Sequence, residues 1–477
     1  MTGPSMPLPL GFVVRLSDST RVADDGVSLI GGSPTRVIFL TPAAAALLVD
    51  GRVTVTDRRS SRLADYLLDI GMADPVVADL PPGDPALVSY VVPVRDRATS
   101  LDRLLASIPS QARTVVVDDA SLDPAAIARV SRRRGAEFVP LRRNIGPAGA
   151  RNAGLRLVRT PFVAFVDSDV VLVPGAIELM LRHFADPRLA IVAPRVAGMA
   201  SSGMGAAARR TWISRYEDAR SSLDLGDRPA AVRPRSAVPW VSSTTLLARV
   251  DALGAGFDDR MRSGEDVDLV WRLAESGHRI RYEPSARVLH EHRGSAVAWA
   301  HRKFVYGTSA AALAERHPDA IAPAIIAPWG VALLAALLAQ RRWSLPVAGV
   351  IAGGMTWRIA ARLPRSRHPV RVAARLTATG VATNLGQGSA LLMRHWWPLT
   401  LALLPFSRRL RRVVLVAHIA DTVLEHRRTG SDLDPVRFGL ARRLDDLAYG
   451  AGVWFSALRA GSLRALIPEV RKRPPEA

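Results

Sequence analysis

Short apolar runs alternate with segments of helical spacing between residues 86 and 310. The apolar runs at 87–94, 114–117, 137–141 and 162–166 predict buried β-strands. Between the first two, Leu101, Leu104, Leu105 and Ile108 recur at the spacing of one helix face. Strands separated by helices require crossover connections, which favour parallel neighbours. The pattern therefore predicts an α/β domain with a mostly parallel sheet.

A smaller pattern precedes this domain. Apolar runs at 12–16 and 36–40 predict two strands, with a Gly-Gly-Ser-Pro turn at 31–34 between them. Thr41 and Pro42 have the residue types that open a helix, and a second short helix is predicted at 62–71. The proline-rich segment 81–85 is typical of a linker. Residues 1–85 are thus expected to form a small N-terminal α+β domain, followed by the main domain at 86–310.

The pattern changes again after residue 310. Two mostly apolar stretches, 321–339 and 343–361, are close to the roughly 20 residues that span a bilayer. Arg341 and Arg342 lie between them, and a buried or interfacial helical hairpin is the alternative. Trp396, Trp397 and the arginines at 408–412 suit a lipid interface. We expect a helical, membrane-associated region at 311–430 and a basic C-terminal tail at 431–477.

Composition narrows the chemistry. The 477 residues contain no cysteine, which excludes disulfides and thiolate metal sites. The formal net charge is +21, and Lys303 and Lys472 are the only lysines. Such a charge suits nucleic acid, anionic lipid or a phosphorylated substrate. The first ten residues lack the pattern of a secretory signal. We therefore expect the main domain to lie in the cytoplasm, at the cell membrane.

The strongest chemical signal lies where the run 162–166 ends in Asp167-Ser168-Asp169. A buried strand that stops on acids places them at its carboxyl end, where open α/β sheets bind ligands. Two carboxylates there suit Mg²⁺ or Mn²⁺ held together with a diphosphate. Earlier strands also end in acids, at Asp96 and at Asp118-Asp119. The small residues of 143–154 permit close approach of an anion to a helix N-terminus.

Together these motifs resemble those of the family 2 glycosyltransferases over residues 87–295. The matching motifs occur in the expected order: Pro93-Val94-Arg95-Asp96, Asp118-Asp119-Ala120-Ser121, Asn144 to Gly154, Asp167-Ser168-Asp169 and Gly264-Glu265-Asp266-Val267-Asp268. The resemblance implies a GT-A fold (the Rossmann-like fold of nucleotide-diphospho-sugar transferases) and inverting transfer from a nucleotide-sugar. It implies donor-binding roles for Pro93, Asp96, Asp118, Asp119, Arg151 and Asp167. It also implies metal binding by Asp169 with support from Asp167.

On the acceptor side, the resemblance makes Asp266 the candidate general base and Glu265 a residue that orients the acceptor or the base. The rival assignment makes Asp268 the base, with Glu265 and Asp266 as charges at a helix N-terminus. Asp268 and Arg272 stand at i, i+4, so a structural ion pair is the simpler interpretation of those two. His290 is either a further metal ligand or part of a solvated polar turn.

The N-terminal pattern, from Leu40-Thr41-Pro42 to Gly51, resembles PqqD-like domains, which bind a precursor peptide as an added strand. The third strand of the usual opening sheet looks short or absent here. The combination of domains is similar to the glycosyltransferases of mycofactocin biosynthesis. That similarity implies UDP-glucose as donor and a peptide-derived redox cofactor as acceptor.

Two alternatives stay open. One is a glycosyltransferase acting on a lipid or cell-wall polysaccharide; Gln340-Arg341-Arg342-Trp343 comes one residue short of the Gln-x-x-Arg-Trp motif typical of processive synthases. The other is an arginine-rich nucleic-acid-binding protein, which the scattered arginines and the 6% aromatic content disfavour. We expect no nucleic-acid partner.

Overall fold

The protein forms two compact units in a computed structural model that describes residues 6–199, 211–291 and 295–471. The first, here called the sheet unit, comprises Met1–Arg209 and Arg220–His292. The second, here called the helical unit, comprises Arg210–Ala219 and Arg293–Ala477. The sequence placed this boundary at residue 310, and it gave residues 1–85 a domain of their own. The structure instead includes those residues in the sheet unit.

The N-terminal part of the sheet unit contains two three-stranded sheets, in the orders β5-β1-β6 and β2-β3-β4. The elements are β1 (Val13–Leu16), β2 (Arg21–Ala23), β3 (Ser28–Gly31), β4 (Arg36–Phe39), α1 (Pro42–Ala46), β5 (Arg52–Thr54), α2 (Arg58–Asp69) and β6 (Ala73–Pro75). Thr41 caps α1 by accepting from the Ala44 amide, as predicted. The prediction of only two strands was wrong, because strands of three or four residues carry too little periodicity to detect.

The rest of the sheet unit is built on a nine-stranded sheet in the order β11-β15-β12-β14-β10-β7-β8-β9, with β13 beside β15. Its strands are β7 (Val88–Val94), β8 (Thr114–Asp118), β9 (Glu137–Pro140), β10 (Phe162–Val166), β11 (Val170–Leu172), β12 (Leu189–Gly198), β13 (Ala230–Ala231), β14 (Thr245–Arg249) and β15 (Arg279–His290). Its helices are α3 (Ala98–Ser107), α4 (Pro124–Arg133), α5 (Gly146–Leu155), α6 (Ala176–Arg182) and α8 (Glu265–Glu275).

The four predicted strands of this domain are confirmed as β7, β8, β9 and β10, which pair in parallel. The prediction of a mostly parallel sheet holds only for that half. β14 runs antiparallel to both β10 and β12, and β11 and β13 run antiparallel to β15. The strands β12 and β15 pair in parallel and have the same direction as β10. The carboxyl ends of β7, β8, β10, β12 and β15 therefore share one edge of the sheet.

The helix α5 lies unusually close to the sheet. A Cβ atom on Gly154 would lie 2.4 Å from a methyl carbon of Val91 in β7. Because no side chain fits there, the glycine lets α5 approach the strand and brings its first turn to the carboxyl edge of the sheet. The small residues of 143–154 thus have a packing role in addition to any role at an anion site.

An arginine cluster joins the N-terminal part to the opposite, amino-terminal edge of the large sheet. Arg279, the first residue of β15, pairs with Asp65 and Asp69 of α2 at 2.8 Å each and with Asp186 at 2.9 Å. Arg188 pairs with Asp69 at 3.0 Å. His290 ends the same strand eleven residues later, roughly 35 Å away at the usual rise of a β-strand. The N-terminal part is therefore held at the edge that lies away from the acidic motifs.

The segment predicted to be a linker also packs closely. A Cβ on Gly83 would lie 2.2 Å from the Cβ of Leu181 in α6, and Arg182 donates to the carbonyl of Leu80 at 3.0 Å. Ala185 packs against the N-terminal core. Residues 1–85 therefore share packing and ion pairs with the large sheet and are not an independent unit on a free tether.

Replacing Arg279 by methionine should test how strongly the two parts are joined. The variant leaves the buried Asp186 without this cation, while Asp65 and Asp69 keep partial access to water. We expect the free energy of unfolding to fall by about 2 kcal/mol, less than for a fully buried pair. Urea denaturation measures this change. The matched control is Arg113→Gln, which breaks an exposed pair with Glu137 and should cost at most about 1 kcal/mol. Equal costs would show that the Arg279 cluster contributes nothing special.

The helical unit consists of packed helices and one pair of two-residue strands. They are α7 (Trp212–Arg220), α9 (Ala296–Thr308), α10 (Ala310–Arg316), β16 (Ile325–Ile326), α11 (Pro328–Leu338), α12 (Ser344–Ala360), α13 (Pro369–Ala390), α14 (Trp397–Leu403), α15 (Arg408–Thr429), α16 (Pro435–Ala460) and β17 (Glu469–Val470). Within residues 6–199, 211–291 and 295–471, no helix has both the length and the apolar character needed to cross a membrane.

The longest helix, α16, lies where the sequence predicted a basic tail, and that prediction was wrong. Phe438, Ala441 and Ala457 of α16 are completely buried. A Cβ on Gly452 would lie 2.0 Å from the carbonyl oxygen of Phe304 in α9, so this glycine permits close contact of the two helices. The many arginines of 431–477 suggested an exposed tail. The amphipathic helix was not recognised in the sequence because its buried positions are mostly small residues.

A buried lysine links three helices of this unit. Lys303 of α9 lies 2.7 Å from Glu217 of α7 and 3.7 Å from Asp445 of α16. The Tyr216 hydroxyl also donates to Asp445, at 3.1 Å. The side chain of Lys303 is only 3% exposed, so its charge is stabilised by these carboxylates and not by water.

Candidate active site

The two aspartates after β10 lie at the carboxyl edge of the parallel strands, as predicted. The Asp167 amide donates to the carbonyl of Thr244, which ties the turn to the neighbouring strand β14. The Asp167 side chain is partly exposed and accepts from Arg151 at 2.6 Å. The Asp169 side chain is nearly buried. The Asp167 carboxylate is thus more accessible to solvent than that of Asp169.

Strand pairing brings His290 to Asp169. Val170 of β11 pairs with His290 of β15, and the Glu291 amide donates to the carbonyl of Asp169. The His290 Nε2 atom lies 3.5 Å from the Asp169 carboxylate. The guanidinium of Arg97, just before α3, forms an ion pair with the same carboxylate. Asp169 is therefore neutralised by a side chain that sequence analysis did not select.

The loops that follow β7 and β8 are bonded to each other. The Asp96 amide donates to the Ser121 hydroxyl at 2.8 Å, and the Leu122 amide donates to the Asp96 carboxylate at 2.6 Å. Asp96 and Ala120 both have φ near +56°, a left-handed conformation that costs a residue with a side chain roughly 1 kcal/mol. Left-handed residues thus follow the carboxyl ends of two adjacent strands, β7 and β8.

The paired acids of β8 organise their surroundings. Asp118 is buried and accepts from the amide and hydroxyl of Ser121. Asp119 accepts from the amides of Ile145 at 2.7 Å and Gly146 at 2.9 Å, which begins α5. Pro93 is buried within β7. These three predicted donor-binding residues are buried near the carboxyl ends of their strands, whereas Asp96 and Asp167 are the more exposed members of the predicted set.

Arg151 joins the donor-side and acceptor-side motifs. Its buried guanidinium donates to Asp167 at 2.6 Å and to Glu265 at 2.9 Å. Burial alone would lower the pKa of Arg151, but the charges of Asp167 and Glu265 outweigh it and raise the pKa. Because the guanidinium is buried and bonded to both acids, its position does not support the prediction that Arg151 contacts the donor directly. Its contacts instead make it a bridge between Asp167 and Glu265.

The acceptor-side acids lie at the start of α8. The Asp266 carboxylate accepts from the amides of Ser243 at 3.1 Å and Val267 at 2.8 Å. Burial raises the pKa of Asp266 despite these bonds. Burial also raises the pKa of Glu265, the charge of Asp266 adds to the effect, and Arg151 opposes it. A carboxylate whose pKa is raised is a better proton acceptor, which suits a general base.

Asp268, the rival base, points elsewhere. Its side chain is completely buried and pairs with Arg272 at 2.8 Å, and Arg272 also donates to the carbonyl of Gly256. This is the i, i+4 ion pair that the sequence indicated. The contacts of Asp268 are those of a structural residue in α8.

Sequence analysis missed one face of α3. Arg97, Ser100 and Arg103 recur every three residues, along a side of the helix that is next to its buried leucines. Arg97 pairs with Asp169, while Ser100 and Arg103 contact Glu291 at 3.1 Å and 2.5 Å. The polar spacing was visible in the sequence, but the acids it serves lie about 70 and 190 residues further along the chain.

The side chains around Asp169 provide part of the ligand set of one divalent metal ion. Within the described part of the chain, no group of three or more His, Asp or Glu side chains is arranged as a complete metal site. Asp169 and His290 bring one carboxylate and one imidazole close together, and Asp167 lies two residues away. Carboxylate and imidazole ligands suit Mn²⁺, and Mg²⁺ commonly binds through one or two carboxylates and substrate phosphates. The residues therefore fit an ion that the diphosphate helps to hold.

Comparison with known proteins adds a family and one close relative. The sequence profile of glycosyl transferase family 2 matches residues 89–232, and that of glycosyl transferase family group 2 matches residues 162–417. The pre-mycofactocin glycosyltransferase of Mycobacterium tuberculosis is 42% identical over 97% of this chain and 99% of its own length. The succinoglycan biosynthesis protein ExoU of Rhizobium meliloti is 25% identical over 46% of this chain and 66% of its own length.

Among solved structures, the mannosyltransferase PcManGT of Pyrobaculum calidifontis, in complex with GDP-Man and Mn²⁺, matches 65% of this chain and 89% of its own. Its TM-score is 0.37 and its sequence identity is 19%.

Proposed function

The chain belongs to glycosyl transferase family 2, and we propose that it transfers glucose from UDP-glucose to the peptide-derived precursor of the redox cofactor mycofactocin. That the chain is a hexosyltransferase follows from the family. The acceptor is proposed because the mycobacterial relative with that name aligns over nearly the whole of both chains. The alignment includes the N-terminal part, which lies outside the residues that the two family profiles match.

We propose a single displacement with inversion. The acceptor hydroxyl oxygen attacks the anomeric carbon, the bond from that carbon to the β-phosphate oxygen breaks, and UDP leaves. Asp266 accepts the hydroxyl proton as the new bond forms. Glu265 and Arg151 position Asp266 relative to Asp167 on the donor side. The observation that supports this arrangement is the Arg151 bridge, because it connects the two sets of acids directly.

A divalent ion, when bound, would neutralise the charge that develops on the β-phosphate. Asp169 is its proposed ligand, with His290 and Asp167 beside it. Asp96 and the loop from Asp118 to Leu122 form the proposed nucleoside side of the cleft. The proposed place of action is the inner face of the cell membrane.

Arg97 should compete with the ion for Asp169. We expect Arg97→Ala to tighten Mn²⁺ binding by about tenfold, since the carboxylate then loses its protein counter-charge. Asp169→Asn should weaken it by at least a similar factor. Titration calorimetry with Mn²⁺ alone measures both changes without any turnover. Arg103→Ala is the matched control, because it lies on the same helix face but pairs with Glu291. Unchanged affinity in both test variants would remove Asp169 from the proposed metal site.

The proposed reaction is tested with purified protein, Mg²⁺ or Mn²⁺, and a panel of UDP- and GDP-sugars. With UDP-glucose and the peptide-derived acceptor, we expect a product heavier by one hexose in mass spectrometry. Transfer only to a lipid or polysaccharide acceptor would support the alternative glycosyltransferase function. Transfer from another donor, with UDP-glucose inert, would overturn the proposed donor alone.

A further inference from the structure

The helical unit contains a long stretch without any acidic residue. Residues 320–420 carry 13 arginines and neither aspartate nor glutamate, although the whole chain has 43 acids. Asp319 and Asp421 border the stretch. It includes α11, α12, α13, α14 and the first part of α15. All of these arginines are exposed except Arg394, which pairs with Asp446 at 3.0 Å, so the stretch has a strongly positive surface.

The same stretch exposes many large apolar side chains. Trp357 of α12 is 75% exposed, and Phe406, just before α15, is 86% exposed. The others with at least half of their surface exposed are Leu345, Val350, Val370, Leu399, Leu401, Leu403, Leu415, Val416 and Ile419. Of the 17 residues of α12, only Ser344 is buried. Exposed apolar side chains at this density mark an interaction surface.

The helix α15 combines both properties along one side. Arg408, Arg409, Arg411 and Arg412 are exposed in its first turns. Leu415, Val416 and Ile419 continue the exposed side over the next two turns. A helix with apolar side chains flanked by arginines is typical of elements that lie in a lipid interface, with the cations at headgroup level.

We propose that residues 320–420 present a face that binds the surface of an anionic lipid bilayer, with Trp357 and Phe406 as apolar anchors and the arginines of α15 as headgroup contacts. The proposal deepens the membrane location proposed above. The helix α12 has 17 residues and is about 26 Å long, slightly shorter than a bilayer's hydrocarbon core of about 30 Å, so its apolar side chains suit an orientation along the interface.

The chemistry of the face favours lipid over two other occupants. A second copy of the same face would place its exposed arginines against those of the first copy, and such like-charge contact is costly. A nucleic acid would use the arginines and aromatic rings but not the exposed leucines, valines and isoleucine, since these have no role in phosphate or base contacts. An anionic membrane uses both the charges and the aliphatic side chains.

Flotation of the full chain with lipid vesicles tests the proposal. We expect binding to vesicles of phosphatidylglycerol and phosphatidylcholine, and at least tenfold weaker binding to pure phosphatidylcholine. The double variant Trp357→Ser/Phe406→Ser should weaken binding at least tenfold. The quadruple change of Arg408, Arg409, Arg411 and Arg412 to glutamine should remove the preference for anionic vesicles. Leu10→Ser is the matched control, because Leu10 is 77% exposed but lies in the N-terminal part.

Three outcomes would overturn the proposal. The first is equal vesicle binding by the parent chain and the double variant. The second is retention on a nucleic-acid column that is lost only in the quadruple variant, and the third is a dimer in solution that dissociates only in the double variant. Wild-type transfer to a soluble acceptor without vesicles is measured in parallel. Activity there without vesicle binding would contradict the membrane face and leave the glycosyltransferase function intact. Vesicle binding without transfer would contradict only the proposed reaction.

Discussion

Asp266→Asn should reduce the proposed glucosyl transfer by about 10²–10⁴-fold, the range typical of a lost general base, while binding of the proposed donor, UDP-glucose, stays nearly unchanged. The asparagine can still accept hydrogen bonds from Ser243 and Val267, so the start of α8 should keep its geometry. It cannot accept the acceptor's proton. Steady-state kinetics with calorimetric donor binding separates the two effects. A loss of donor affinity equal to the loss of rate would show that the side chain acts in binding instead.

The pH dependence of the parent enzyme provides a second check. Burial raises the pKa of Asp266 above that of a free aspartate, about 3.9. Transfer should therefore fall as the pH drops through this raised value, because the protonated acid cannot accept a proton. Asp268→Asn is the control, since Asp268 pairs with Arg272 within α8. An active Asp266→Asn enzyme together with an inactive, folded Asp268→Asn enzyme would move the base two residues along the chain.

Arg151→Met should have the second large effect, because it removes a buried cation from between Asp167 and Glu265. We expect the free energy of unfolding to fall by about 3–5 kcal/mol, the usual cost of leaving one side of a buried ion pair uncompensated. Without this charge, the pKa values of Glu265 and Asp266 should rise further, because Arg151 lowers both. At neutral pH more of the base is then protonated, and transfer should fall at least about 100-fold.

The sign of the pH effect distinguishes this explanation from simple misfolding. Acids with a raised pKa in the folded state destabilise it increasingly as the pH rises from their unfolded value to their folded one. The stability deficit of Arg151→Met should therefore be larger at pH 8 than at pH 5. Arg151→Lys keeps the charge and should restore part of both stability and rate. A deficit that is independent of pH, with no rescue by lysine, would contradict the bridging role.

The sequence predicted the parallel half of the sheet well, because each of those strands is a separate apolar run that ends in a recognisable motif. The antiparallel strand β14 and the late strand β12 were not predicted, since their pairing partners lie 50 to 90 residues away along the chain. Pairing between strands that lie far apart in the sequence produces no local periodic pattern of apolar residues. The same reason explains Arg97, whose partner Asp169 follows 72 residues later.

The N-terminal part shows a different limit. Its proline-rich connection suggested independence, but the ion pairs of Arg279 and Arg188 with Asp65 and Asp69 hold it against the large sheet. No local pattern distinguishes an arginine that pairs across parts of a fold from one that faces solvent. Because the contact lies at the amino-terminal edge of the sheet, a peptide held by this part would have to extend around the sheet to reach Asp266.

The buried Lys303 has a practical consequence for anyone handling the protein. The sheet unit contains no lysine, and the only other lysine of the chain is Lys472. The contacts of Lys303 with Glu217 and Asp445 should shield it from acylating reagents as long as α7, α9 and α16 stay together. A reagent applied during gradual denaturation would therefore label Lys303 only when that packing opens. Peptide mapping of this single residue would report the melting of the helical unit separately from that of the catalytic sheet.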